Sequence, residues 1–299
     1  ILDDAYDADT AMLSETLSGT TDTLTAAAAK TVAGFTAQSF QQKNIAGDGS
    51  TVVDIYYNRN SYTVTYAVTG TVDPNPNYKQ ADYRFGQNVA AEAAAAKAGY
   101  DFIGWANEPA VMPANDVTAT GYFVARTDTA YQVQHYKQNL EDDGFTLAET
   151  EELTGKTDTI ATANPKTYTG FTLDRTVEGT VASGNIAGDG SLVLKLYYTR
   201  NSYDVTYAYT GTVPTGASAL PEKATVKYGA PVTVAEAATA PGYTFSGWSR
   251  NDFTMPAENV TITGSFTANS NTEYTVRHHF QNILDDAYDA DTAMLSETL

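Results

Sequence analysis

Apolar and polar residues alternate with a period of two over much of the chain. The runs YQVQHY (Tyr131 to Tyr136), SLVLKLYY (Ser191 to Tyr198), YDVTYAY (Tyr203 to Tyr209), ATVKY (Ala224 to Tyr228) and VTITGSF (Val260 to Phe266) carry it most clearly. That period turns one face of a strand toward a core and the other toward water. Their Val, Thr and Tyr content suits a pleated, half-buried surface. Asp-Gly in AGDGS, at Ala46 to Ser50 and again at Ala187 to Ser191, stands just before a strand and predicts a turn. Four segments break the alternation and predict short helices from their alanine content: Thr23 to Lys30, Asn88 to Ala98, Thr159 to Lys166 and Val232 to Ala240. The third should stop before its Asn-Pro step at Pro165. Strand, strand, short helix and further strands is the order of an α+β, mostly β, roll in which a sheet grips one helix.

The pattern repeats. Residues 44–72 align with 185–213 at an offset of 141, with 22 identities in 29 positions. GYDFIGW (Gly99 to Trp105) pairs with GYTFSGW (Gly242 to Trp248) at an offset of 143, so loops absorb the difference. A strand interior cannot do so, because one residue of slip reverses every side chain. The period exceeds that of solenoids and fits an array of whole domains. The shared joint RNSY-x-VTYA, at Arg59 to Ala67 and Arg200 to Ala208, leaves almost no linker and predicts an elongated, stiff rod.

Charge and composition narrow the function. Asp and Glu number 36 against 17 Lys and Arg, a net charge of −19, which repels phosphates and argues against nucleic acid as a partner. With 42% hydrophobic residues the chain is expected to fold. It has no Cys, hence no disulfide or thiolate chemistry, and no apolar run long enough for a membrane span. Any export signal or anchor is expected outside this sequence.

At this point the motifs carry a likeness. YQVQHYKQNL (Tyr131 to Leu140), ELTG (Glu152 to Gly155), YTGF (Tyr168 to Phe171) and GDGSLVLKLYYTRN (Gly188 to Asn201) together resemble the mucin-binding protein (MucBP) repeat. YDVTYAYTG, the Tyr228–Gly229 pair, GYTFSGW and MPAENVTITGSF resemble the internalin-type B repeat of bacterial cell-surface adhesins. The resemblance implies tandem β-grasp (ubiquitin-like) modules in an extracellular, wall-associated stalk or adhesin without a catalytic residue. It divides the chain into a MucBP-like module lacking its first strand (1–61), a B-repeat-like module (62–130), a second MucBP-like module (131–202), a second B-repeat-like module (203–271) and the start of a third MucBP-like module (272–299). The expected role is a stalk or fibre that carries a binding tip, and the alternative is a module that itself contacts a host glycan, such as mucin, or a surface protein.

Candidate chemistry is sparse. His135 aligns with His278, whereas His279 aligns with Tyr136; neighbours on a strand point to opposite faces, so His278 and His279 make a poor metal pair. The acidic cluster Asp3, Asp4, Asp7 and Asp9, repeated as Asp285, Asp286, Asp289 and Asp291, is a weak Ca2+ candidate: its spacing is not that of an EF-hand, a solvated hairpin tip is the preferred reading, and no metal or cofactor is expected. Trp105 and Trp248, beside Phe102 and Phe245, read as core aromatics before sugar platforms. In the pairs Tyr56–Tyr57 and Tyr197–Tyr198 the rings point to opposite faces, so one of each is expected outside, and these four are the candidate ligand contacts. An isopeptide cross-link through Lys195, Lys223 or Lys227 is disfavoured, because these lysines align with Asp54, Gln80 and Arg84.

Ile1 to Leu17 recur letter for letter as Ile283 to Leu299. The expectation drawn from this is head-to-tail self-association by strand complementation, in which Glu273 to Leu299 of one chain completes the first module of the next.

Overall fold

The computed structural model describes residues 13–281 and 295–298, and these contain strands, turns and extended segments without a helix. The chain divides into two compact units. The first takes the described residues up to Tyr131 together with 153–161 and 185–192; the second takes 132–152, 162–184 and the described residues from Val193 onward.

The first unit contains β1 (Phe35–Ala37), β2 (Tyr57–Arg59), β3 (Ser61–Val68), β4 (Asn75–Arg84), β5 (Tyr100–Phe102), β6 (Val117–Gly121) and β7 (Phe123–Ala125). β3 is central, antiparallel to β4 and parallel to β6, with Val64 opposite Val117 and Tyr66 opposite Ala119. The alternation in SYTVTYAV sends Val64, Tyr66 and Val68 inward. Val64 and Tyr66 meet Met112 and Ala119, and Tyr62, Tyr83, Val89 and Trp105 close the cluster from its edge.

The chain continues through β8 (Thr129–Gln138), β9 (Phe145–Gly155), β10 (Ile160–Thr162), β11 (Phe171–Leu173), β12 (Ser183–Asn185) and β13 (Val193–Arg200). Four of these form a sheet in the order β11-β13-β8-β9, its centre a parallel pair with Leu194 opposite Val133 and Leu196 opposite His135. Val133, Leu194, Leu196 and Tyr198 are buried on one face, each apolar side chain contributing roughly 1.5–3 kcal/mol. β14 (Ser202–Thr210), β15 (Ala224–Lys227), β16 (Pro231–Val232), β17 (Tyr243–Phe245), β18 (Phe253–Thr254) and β19 (Val260–Ala268) follow. They repeat the plan as β15-β14-β19-β17 with β14 and β19 parallel, over a core of Val205, Val232, Met255, Val260 and Ile262.

The four expected helices are not formed, and the α+β expectation gives way to an all-β architecture among the described residues. A parallel pair needs a crossover, and here extended segments supply it. Their backbone groups are claimed by the sheets before a helical turn can use them. In 88–98, Val89 N–H donates to Ala110 O, Glu92 N–H to the Glu108 carboxylate, and the Trp105 indole to Ala93 O. In 232–240, Val234 N–H donates to Asp252, Ala235 N–H to the Tyr207 hydroxyl, and the Trp248 indole to Glu236 O. The same capture occurs at Lys30 N–H to Tyr57 and at Lys166 N–H to Tyr198. A helix of about ten residues must also overcome its nucleation cost, and these fixed partners tip the balance.

β20 (Thr275–His278) pairs antiparallel with β21 (Leu295–Thr298) of the same chain, Val276 standing opposite Glu297. The strand that strand complementation would donate is therefore engaged in its own hairpin, and that expectation is withdrawn.

Candidate functional site

Asp3, Asp4, Asp7, Asp9, Asp285, Asp286, Asp289 and Asp291 lie outside the described residues. Among the described residues no group of three or more His, Asp or Glu is placed to hold a metal ion. Of the four tyrosines, Tyr56 is 49% exposed, whereas the Tyr57 hydroxyl accepts the Lys30 N–H. Tyr197 is half-buried, stacked on Tyr136 with ring centroids 4.9 Å apart, and Tyr198 is buried. Tyr198 therefore offers no outward surface to a ligand.

What Tyr198 does instead was not foreseen. His135 is fully buried, its Nδ1 3.0 Å from the Tyr198 hydroxyl and its Nε2 3.0 Å from Glu151. Since the Tyr198 oxygen already accepts the Lys166 N–H at 2.9 Å, its own proton is free for Nδ1. Nε2 then carries the ring proton and donates to Glu151, which satisfies every group by the Nε2–H tautomer. Lys166 Nζ bridges Glu151, at 2.9 Å, and Glu149. Hydrogen bonds from Lys166 hold both carboxyls below their usual range, with Tyr168 and His135 assisting at Glu149 and Glu151 respectively. The Lys166 ammonium is raised in turn by the two carboxylates. Burial and the Glu149 hydrogen bond push Tyr168 up to about 12. The first copy keeps part of this arrangement, with Lys30 Nζ 2.8 Å from Glu15 and its N–H on Tyr57. The signal was present in the sequence as the alignment of these Lys, Glu and Tyr positions, but nothing there showed that they converge. These groups pair with one another across β8, β9, β13 and the crossover that carries Lys166, and so brace the sheet.

Trp105 and Trp248 are half-buried, packed edge-on against Phe102 and Phe245 at 4.8 and 4.9 Å. Tyr78, 41% exposed, leans on Trp105 at 5.4 Å, so an aromatic surface reaches solvent there. Lys223 and Lys227 pair with Asp204 and Asp143 at 2.7 and 3.6 Å. An open cavity of about 450 Å³ is lined by residues that include Lys137, Leu147, Phe171 and Arg200.

The RNSY joint forms the same clasp twice. Arg59 lies over the Phe35 ring at 4.9 Å and donates Nη1 to Phe85 O at 2.9 Å, while Phe35 and Phe85 meet edge-on. Arg200 lies over Phe171 at 4.8 Å and donates Nη1 to Tyr228 O at 2.8 Å, while Phe171 and Tyr228 meet edge-on. Arg200 also donates Nη2 to Gln138 O, and its buried Nε has no hydrogen-bond partner among the described residues. Each arginine thus ties one sheet to the next without a linker.

Residues 62–128 and 203–274 match the Listeria-Bacteroides repeat domain family (List_Bact_rpt). Among solved structures, streptococcal high identity repeats in tandem (SHIRT) domains 3-4 from a cell surface protein are 17% identical, covering 46% of this chain and 96% of that one with a TM-score of 0.20. The type 2 repeat of the mucus binding protein MUB from Lactobacillus reuteri is 13% identical, covering 47% of this chain and 100% of that one with a TM-score of 0.14. No curated protein matches.

Proposed function

We propose that the chain is a non-enzymatic repeat region of an extracellular bacterial surface protein, serving as the stalk or fibre of an adhesin. In this reading the segments 1–61, 62–130, 131–202, 203–271 and 272–299 are successive modules, and the sheets are β-grasp derivatives whose helix is replaced by an extended crossover. The observation that carries it is the arginine clasp, rebuilt with matching residues at Arg59 and Arg200. A joint specified twice in this detail serves geometry, because free hinges need no such contacts. The match of two segments to one repeat-domain family supports the same reading. Small-angle scattering of the chain is expected to show an extended particle without flexible joints; a compact or freely hinged particle would overturn the stalk.

A second reading, a module that itself contacts a host glycan such as mucin or a surface protein, draws on the exposed rings of Tyr56 and Tyr78. Tyrosine presents an apolar ring and a polar tip to such a ligand. It predicts glycan-array or mucin binding that Tyr56→Ala and Tyr78→Ala remove, and absence of binding by the unaltered chain would exclude it.

A further inference from the structure

The cavity lined by Lys137, Phe171 and Arg200 gathers positive charge that no carboxylate answers. The chain carries 36 acids against 17 bases, and Lys30, Lys79, Lys97, Lys166, Lys223 and Lys227 each hold an Asp or Glu side chain. Lys137 does not. Its Nζ lies over the Tyr168 ring at 3.9 Å and the Phe171 ring at 5.5 Å, and no hydrogen bond or ion pair of this ammonium occurs among the described residues. Arg200 lies over the same Phe171 ring at 4.8 Å, and its donors go to neutral carbonyls, Tyr228 O and Gln138 O. Two half-buried cations thus share one ring, where they repel each other and where water and salt screen them less than at the surface.

The other polar groups of the cavity wall are largely spent on one another. Asp142 Oδ1 accepts Asn139 Nδ2 at 2.8 Å and the Gly144 N–H at 2.7 Å, Thr146 donates to Asn139 Oδ1, and Gln138 Oε1 accepts the Arg200 N–H. Glu141 is exposed and pairs with neither cation. The rest of the wall is apolar: Leu140, Leu147, Ala148 and Phe171. A sugar would find few groups there for its hydroxyls. An acid with an apolar group beside its carboxylate matches both halves of the wall, charge at Lys137 and Arg200 and apolar surface at Phe171 and at Leu147, which is 45% exposed.

We propose that this cavity binds the C-terminal residue of a peptide, its α-carboxylate hydrogen-bonded by Lys137 in the field of Arg200 and its apolar side chain against Leu147 and Phe171. A peptide terminus carries its carboxylate and its side chain on one carbon, and the shared Phe171 ring sets the cations and the apolar wall equally close together. The ligand's charge relieves the repulsion between the two cations, and the ammonium gains a charge-assisted hydrogen bond. The site stands whether or not the chain serves as a stalk.

Titration of the isotope-labelled 299-residue chain with N-acetyl-Ala-Leu, up to about 10 mM, is expected to shift the amide NMR signals of residues 137–148 saturably, with a Kd of about 1 mM or below. The same peptide with a C-terminal amide should bind about tenfold or more weakly, and this comparison needs no variant. Lys137→Met should weaken the acid by a similar factor. The repeat carries Phe280 where Lys137 stands, so the fold does not require the amine there. Lys227→Met removes the same charge outside the cavity wall and should leave binding unchanged. Absence of saturable shifts, equal binding of acid and amide, an equal loss in Lys227→Met, or tighter binding of sialyllactose, an acidic glycan, than of the peptide overturns the proposal.

Discussion

At the scale of the residue, Lys166 is the most informative side chain. It holds Glu149 and Glu151, whose carboxyls lie below the usual range because Lys166 bonds them. A carboxyl depressed in the folded state stabilises the fold above its unfolded value, and that contribution is lost as pH falls through the folded value. The expected outcome is an acid limb beginning near the ordinary glutamate value of 4.5 and deepening below it. Lys166→Met should flatten that limb in urea denaturation followed across pH and lower stability near neutrality by the same modest amount, the two proteins converging at acid pH, with the effect small because the pairs are partly exposed. An unaltered acid limb in the variant would remove Lys166 as its cause. His135 was legible as a strand residue from its alignment with His278, but its buried bridge between Tyr198 and Glu151 was not. A bond between β8, β9 and β13 joins residues 16 and 63 positions apart, and no local pattern encodes it.

At the scale of the element, the strands follow the alternation closely: in VLKLYYTR, Leu194, Leu196 and Tyr198 are inside as the period requires. The alanine-rich segments do not follow their propensity. Intrinsic preference is a weak prior of under about 1 kcal/mol per residue, whereas Trp105 and Trp248 each place an indole donor on the backbone of these segments. Far-UV circular dichroism should accordingly lack the helical band at 222 nm. Trp248→Phe keeps most of the packing but leaves Glu236 O without its donor, and a loss of about 1 kcal/mol is expected in urea unfolding. A helical spectrum, or a neutral substitution, would count against this account of the crossovers.

At the scale of the whole molecule, the repeated clasps decide whether neighbouring sheets unfold together. Gly170 has φ 77°, and a Cβ there would lie 2.2 Å from the Tyr228 ring that closes the second clasp. Gly170→Ala should cost about 2–4 kcal/mol from strain and overpacking and broaden or split the calorimetric transition. Gly211→Ala, at φ 74° with nothing within 4 Å, carries the backbone strain alone and should leave the transition single. If both variants melt alike, the clasp does not couple the sheets.

The sequence by itself determined the repeat, the strand periodicity, the acidic surface and the linker-free RNSY joint, because these depend on identity and spacing along the chain. Tertiary structure alone decided that the crossovers are extended, that Tyr198 faces inward onto His135, and that the arginine clasps close on Phe85 and Tyr228 carbonyls. Each of these depends on hydrogen bonds between groups far apart in sequence, and such partners outbid local propensity only once the sheets have brought them together.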